Sequence, residues 1–146
     1  MNESGRALPE ELGVLLKETQ SILHQRMDER LRPLGLSVPQ YACLQALHDL
    51  PGITGSELAR RAFVTRQSMS VLLQGLERRG LVARSNSPGP RRERGAALTS
   101  SAEELLSRAH KEVADLVQLM TGQISPGELV RLRELLVMCR DALLGH

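Results

Sequence analysis

The chain has 146 residues, 41% of them hydrophobic and 25% charged, which fits one ordinary globular domain and excludes intrinsic disorder and a disulfide scaffold. With no Trp, one Tyr and one Phe, it has too few rings for stacking on single-stranded nucleic acid or for an aromatic ligand cage. The net charge of +2 is segregated, because residues 54–95 carry +6 and the rest carries −4, a pattern typical of a polyanion-binding module on an acidic scaffold.

The first two predicted helices lie in the N-terminal third of the chain. Hydrophobic residues recur at three- and four-residue steps over residues 9–31 and predict a long amphipathic helix. Gly35 is expected to end this region, since glycine adopts the left-handed conformation that stops helices. Ser37 and Gln40 form a capping box that opens a second helix, and Pro51-Gly52 ends it.

A helix-turn-helix is predicted next. A second capping box, Thr54 to Glu57, opens a short helix, and Thr65 is a good N-cap for the following one. That helix is expected to end at Arg79-Gly80. Its predicted buried face consists of Met69, Leu72, Leu73 and Leu76. Two short helices joined by a tight turn constitute a helix-turn-helix.

A β-hairpin is predicted after the helix-turn-helix. Residues 81–84 and 96–99 have the length of short strands, and a turn-rich, Arg-rich stretch separates them. A hairpin in this position is a wing.

Two more amphipathic helices are predicted, one over residues 101–120 and one from the capping box at Ser125 to Leu144. In the last helix Leu129, Leu132, Leu136, Cys139 and Leu143 are expected to face inward. The long helices at both chain ends have apolar stripes that need a partner, most economically the same helices of a second subunit.

The predicted fold class is mainly α with a small β-hairpin wing. A winged helix-turn-helix module at residues 36–99 is flanked by long N- and C-terminal dimerisation helices at residues 8–34 and 100–145. All of these parts are expected to form a single domain over residues 1–146.

The outer face of the helix after Thr65 carries uncharged polar side chains, whereas a face built for solubility would favour Glu and Lys. Such a face can read base edges in the major groove, while simple solvation is the alternative for each residue taken alone. Arginines on the wing suit a narrow minor groove or phosphates, and helix N-termini can bind phosphate. The candidate DNA-binding residues are Thr54, Ser56, Arg66, Gln67, Ser70, Val71, Gln74, Arg78, Arg84, Arg91, Arg92 and Arg94.

Other functional classes have little support. Cys43 and Cys139 are interpreted as small buried hydrophobic residues, with a cysteine-based redox-sensing regulator as the alternative. The four His residues have no ligand-like spacing, so neither a metal nor another cofactor is predicted. No nucleophile-base grouping or phosphate loop indicates an enzyme. No signal peptide or long apolar run is found, so we expect a cytoplasmic protein with no membrane partner.

Several short sequence motifs resemble those of the MarR family of bacterial transcriptional regulators, and the resemblance spans residues 8–144. They are LGLSVPQYACL from Leu34, ELAR from Glu57, LERRGLVAR from Leu76, Arg91-Arg92 and Leu98-Thr99. The resemblance implies a homodimer that binds a pseudo-palindromic operator in double-stranded DNA. It also implies a small anionic or phenolic effector, or an oxidant, that loosens DNA binding. The effector would lie between the first helix and the winged helix, near Gln20, His24 and Met27.

Two positions depart from the family pattern. Pro90 stands where members usually carry the Asp that supports the wing, and Val71 stands where Arg is common. Both wing support and base preference are therefore expected to differ.

The leading hypothesis is a dimeric, sequence-specific regulator, in the role of a repressor, whose recognition helices enter major grooves about 34 Å apart. The alternative is a winged-helix protein-interaction module that does not bind DNA, against which the basic central segment counts.

Overall fold

The order of elements confirms the predicted mainly α fold with one β-hairpin. The elements are α1 (Leu8–Leu31), a 3-10 turn (Arg32–Leu34), α2 (Val38–Asp49), α3 (Gly55–Ala62), α4 (Arg66–Arg78), β1 (Val82–Arg84), β2 (Ala96–Leu98), α5 (Ser100–Thr121) and α6 (Pro126–Leu144). The structure is a computed structural model that describes residues 5–62, 64–84 and 95–145. It divides into one unit spanning Met1–Val113 and another spanning Ala114–His146. None of the described helices is long and apolar enough to cross a membrane.

The turn between α1 and α2 has the predicted stop and start signals. Gly35 has φ of 74°, the left-handed conformation that terminates the 3-10 turn. The Ser37 hydroxyl oxygen accepts from the Gln40 backbone N–H at 3.2 Å, and the Gln40 side chain accepts from the Ser37 N–H at 2.9 Å. This reciprocal capping box satisfies two N–H groups at the start of α2.

One hydrophobic core lies within the first unit. It is built from the inward faces of α2, α3 and α4, joined by the end of α1, the hairpin and the first part of α5. Among the described residues, the largest fully buried side chains are all leucines: Leu31, Leu44, Leu47, Leu58, Leu73 and Leu76. Tyr41, one of the two aromatic residues, is buried at 8% exposure, while Phe63 lies outside the described residues.

The hairpin is joined to the segment that precedes α3. β1 pairs antiparallel with β2, and Val82 lies opposite Leu98. Gly95 forms a further bridge to Thr54, and a Cβ at Gly95 would lie 2.9 Å from the carbonyl oxygen of Gly52. Only glycine therefore allows this close approach. The predicted strands are confirmed, and the tip with Pro90, Arg91, Arg92 and Arg94 lies outside the described residues.

Thr99 connects the end of α4 to the start of α5. Its hydroxyl donates to the carbonyl oxygen of Gly80 at 2.7 Å and accepts from the backbone N–H of Ala102 at 3.2 Å. One side chain thus caps α5 and holds it to the turn that ends α4.

The apolar stripes of the two terminal helices are largely exposed. On α1, five apolar residues between Leu8 and Ile22 are between 46% and 63% exposed. On α6, the prediction of an inward stripe is wrong for four of its five residues in the single chain: Leu132, Leu136 and Leu143 are 39%, 41% and 79% exposed and Cys139 is also exposed, whereas Leu129 is half-buried. The physical reason is that no described element of this chain covers those side chains.

Shortening Leu73 to Ala should cost about 2–5 kcal/mol of unfolding free energy, because Leu73 is 0% exposed and its loss leaves a cavity. The matched control is Val71→Ala on the same helix, where Val71 is 61% exposed and the change should stay within about 0.5 kcal/mol. Urea denaturation at one fixed protein concentration measures both. Equal losses in the two variants would contradict this arrangement of α4.

Candidate nucleic-acid interface

Helix α4 is fixed at both ends. At its start, the Thr65 hydroxyl oxygen accepts from the Ser68 backbone N–H at 3.0 Å, as predicted for an N-cap. At its end, Gly80 takes φ of 73°, and the Arg79 guanidinium donates to the carbonyl oxygen of Gly35 at 2.8 Å. Arg79 thus holds the end of α4 to the turn between α1 and α2.

The outer face of α4 carries half of the predicted DNA-binding residues. Because Met69, Leu73 and Leu76 are buried, the residues between them turn outward. Ser70 is half-buried. The exposed members of the set are Arg66, Gln67, Val71, Gln74 and Arg78. The fold therefore brings these six side chains onto one helix, with arginines at its two ends.

Val71 is the most informative of them. It is 61% exposed although it is a β-branched apolar residue in a helix. Its neighbours one turn away, Gln67 and Gln74, are uncharged and can both donate and accept hydrogen bonds. An apolar contact flanked by amides matches the thymine methyl and adenine edges of the major groove.

The start of α3 is already internally capped. The Thr54 hydroxyl accepts from the Glu57 backbone N–H at 3.2 Å and donates to the Glu57 carboxylate at 3.0 Å. Thr54 and Ser56 are both half-buried. Any phosphate contact at this helix start therefore depends on backbone N–H groups more than on the Thr54 hydroxyl.

Arg84 lies differently from the residues on α4. It is half-buried, and its Nε is buried without a hydrogen-bond partner among the described residues. Its Nη2 lies 3.4 Å from the position that a Cβ on Gly55 would occupy. The guanidinium therefore packs across the beginning of α3, and glycine at position 55 leaves room for it.

The residues that the family resemblance implies for an effector lie on α1. Gln20 and His24 are exposed, and Met27 is half-buried against the core. A pocket of about 570 Å³ lies elsewhere, among α2, α3 and α4, and those three residues do not line it. Sequence patterns did not reveal this pocket, because its walls come from small side chains on three different helices.

The two cysteines differ in environment. Cys43 is 3% exposed, and burial raises the pKa of its thiol to about 11, partly opposed by the nearby charge of Arg84. This confirms Cys43 as a small buried residue, whereas Cys139 is exposed. A neutral thiol at physiological pH is a poor nucleophile, so the environment of Cys43 does not suit redox sensing.

Two histidines separated by 62 positions line one hollow between α2 and α5. Nδ1 of His48 lies 3.0 Å from Oε2 of Glu103, and His110 lines the same hollow of about 240 Å³. The described part of the chain nevertheless contains no group of three His, Cys, Asp or Glu residues placed to hold a metal ion. The contact between His48 and Glu103 joins α2 to α5.

Together, three helices with an outward polar face on the third, followed by an antiparallel hairpin, define a winged helix-turn-helix protein. Comparison with known proteins agrees with this class. A model of the MarR family matches residues 34–93. The HTH-type transcriptional repressor Rv2887 of Mycobacterium tuberculosis is 40% identical over 102 residues, which cover 70% of this chain and 73% of that protein. The chain belongs to the MarR family.

Solved structures support the same assignment. The Mycobacterium tuberculosis MarR family protein Rv2887 in complex with DNA has a TM-score of 0.71 at 31% identity, covering 88% of this chain and 96% of that one. The same protein in complex with salicylic acid has a TM-score of 0.71 at 32% identity, covering 93% and 98%. The family resemblance seen in the sequence is therefore confirmed.

Alkylation of Cys43 should be slow in the folded protein. In a Cys139→Ser variant at pH 8, its thiolate fraction should be about 100-fold below that of the unfolded chain, because the pKa rises from 9.0 to about 11. Iodoacetamide labelling followed by mass spectrometry measures the rate in native buffer and in denaturant. The native rate should still be rising with pH above 9, and equal rates in both states would contradict the buried position.

Proposed function

We propose that this protein is a sequence-specific transcriptional regulator that binds double-stranded DNA as a homodimer on a pseudo-palindromic operator. Its role is that of a cytoplasmic repressor released by a small-molecule effector, and it is not an enzyme. The observation that carries the proposal is the outer face of α4, where Gln67, Val71 and Gln74 are exposed on a helix fixed at both ends. The related protein with a DNA complex and a salicylic acid complex supports the same function.

In the proposed complex α4 enters the major groove. Gln67 and Gln74 pair with adenine edges, Val71 contacts a thymine methyl group, and Ser70 serves as a short donor or acceptor. Arg66 and Arg78 reach guanine or phosphates near the two ends of the helix. These contacts would recognise the base sequence, whereas the candidate residues outside α4 would position the protein on the DNA backbone.

The positioning contacts come from outside α4. Backbone N–H groups near Thr54 and Ser56 face a phosphate, and the charge of Arg84 behind them supports that phosphate electrostatically. The wing arginines Arg91, Arg92 and Arg94 would neutralise phosphates or enter the minor groove. They lie outside the described residues and are proposed from sequence and charge alone.

The homodimer is proposed from the exposed apolar stripes. Apolar side chains on α1 are exposed in the single chain, and so are those on α6. Helices that face water ordinarily carry polar side chains on their exposed face. Residues 8–34 and 100–145 would therefore form the dimerisation region, and residues 36–99 the DNA-binding module. A two-fold dimer presents two α4 helices, which accounts for a pseudo-palindromic operator.

DNA binding should depend steeply on salt and on base sequence. Gln67→Ala should relax the choice at one base pair per half-site, where the lost contact is worth about 1–3 kcal/mol of discrimination. Competition binding against operator variants with single base changes measures this, after the operator is obtained by selection from a random duplex library. Gln123→Ala, at an exposed position between α5 and α6, is the matched control and should change nothing. Equal affinity for all duplexes, or affinity independent of salt, would refute a specific regulator.

Assembly should depend on the apolar face of α6. Leu136→Glu places a charge on a side chain that is 41% exposed in the single chain and covered in the proposed dimer. We expect sedimentation velocity to shift this variant from dimer to monomer at micromolar concentration. Leu50→Glu makes the same substitution at a side chain that is 38% exposed but lies outside the proposed dimerisation region, and this variant should remain dimeric. A wild-type protein that sediments as a monomer would contradict the proposal.

A further inference from the structure

Two neighbouring residues in the interior of α4, Val71 and Gly75, are poor choices for the stability of a helix. They lie one turn apart, and Val71 is 61% exposed while Gly75 is half-buried. Glycine loses backbone freedom in a helix and valine loses side-chain freedom, whereas Ala, Glu, Lys or Arg would stabilise such positions. Functional sites are where a sequence is expected to break local rules of this kind. The pair therefore needs a reason other than the stability of α4.

The protein itself does not require glycine at position 75. Its backbone is helical, unlike that of Gly80, which follows α4 with φ of 73°. Apart from its chain neighbours and the backbone of its own helix, a Cβ at position 75 would have one neighbour within 4 Å among the described residues, Nη2 of Arg78 at 4.0 Å. That atom is the far end of a flexible side chain at ordinary van der Waals distance. Glycine instead leaves a position without a side chain next to Val71, where an external surface can approach α4 closely.

The surroundings of this pair indicate what that surface is. The flanking side chains of Gln67, Gln74 and Arg78 are exposed and polar, so the two methyl groups of Val71 stand alone beside Gly75. Thymine presents one apolar group in the major groove, its C5 methyl, and 5-methylcytosine carries the same group. The two bases differ at the adjacent atom, which is an O4 acceptor or an N4–H₂ donor. A glutamine amide can pair with either, because it both accepts and donates.

We propose that Val71 and Gly75 recognise the C5 methyl group of one pyrimidine in each half-site, whether the base is thymine or 5-methylcytosine. The methyl groups of Val71 contact the C5 methyl, and Gly75 lets α4 lie deep enough in the groove for that contact. DNA binding would then respond to cytosine methylation at this position. This inference rests on the proposed DNA-binding function and adds to it the chemical group that is read and the residue that sets the depth of the helix.

The methyl group is tested with base analogues in the selected operator. Each thymine of a half-site is replaced in turn by deoxyuridine, symmetrically in both halves, which removes the C5 methyl and keeps the Watson–Crick edge. At one position the wild-type affinity should fall about fourfold per half-site, the loss expected for one buried methyl group. Val71→Ser changes an exposed side chain, so it should keep the wild-type melting temperature and bind the two operators equally. A wild type that tolerates every replacement, or a Val71→Ser variant with the same methyl dependence, would overturn the proposal.

Cytosine at the same position separates the methyl group from the rest of the base. The wild type should bind an operator with 5-methylcytosine about fourfold more tightly per half-site than one with cytosine. Val71→Ser should not distinguish these two operators. A loss with deoxyuridine and no gain with 5-methylcytosine would overturn the proposal in favour of recognition of thymine as a whole.

The role of Gly75 is tested by opposite effects on stability and on binding. Gly75→Ala should raise the melting temperature of the DNA-free protein by about 2–4 °C, because alanine favours the helix and the space is open. It should also weaken operator binding at least about fivefold, because the added methyl group occupies space that the DNA needs. The matched control is Gly13→Ala, at an open glycine inside α1, which should gain stability and keep the wild-type operator affinity. Equal operator affinity of Gly75→Ala and the wild type would overturn the role of Gly75.

This proposal and the proposed function fail in different ways. A protein that binds every duplex equally is not a sequence-specific regulator. A protein that binds one operator tightly, without regard to any C5 methyl group, remains a specific regulator but does not read methyl groups through Val71 and Gly75.

Discussion

The burial of Met69, Leu73 and Leu76 against the leucines of α2 and α3 is the constraint on which the proposed DNA-reading face of α4 depends. An α-helix has 3.6 residues per turn, so fixing one face by burial fixes the direction of every other side chain. Gln67, Val71 and Gln74 face outward because the buried side chains of the same helix fix its orientation against the core. A recognition helix gains from such rigidity, since base contacts require side chains to be held in place before DNA arrives.

The same core also joins elements that are distant in sequence. Arg79 connects the end of α4 to the turn after α1, and Thr99 connects it to the start of α5. The hairpin base is paired with the segment before α3 through Thr54 and Gly95. The end of α4 is therefore held both to the turn after α1 and to the start of α5.

The order of helices and strands could be predicted from the sequence because most of the signals that mark them, such as helix caps and hydrophobic periodicity, involve residues close together in the chain. The capping boxes at Ser37 and Ser125 join residues three positions apart, so both partners are visible in the sequence. The outward set on α4 was also predictable from periodicity. Contacts over long separations were not predictable, such as Arg79 with Gly35 across 44 positions and His48 with Glu103 across 55. These pairs form only after the helices have packed.

The candidate site also combines features that local sequence predicts with features that depend on how the helices pack. The direction of Arg84 and the pocket beside Ala42 depend on how three helices approach each other, which no single stretch of sequence encodes. The arginine run was read correctly as a basic segment, but one member packs over Gly55 and another bonds to a carbonyl of the protein. Local charge density therefore overstates the number of arginines available to DNA.

The exposed apolar residues of α1 and α6 have a consequence for the stability of the protein. In the proposed dimer a second copy would cover these side chains, and unfolding would then be linked to dissociation. The melting temperature of such a dimer rises with protein concentration, because dilution favours dissociation and therefore unfolding.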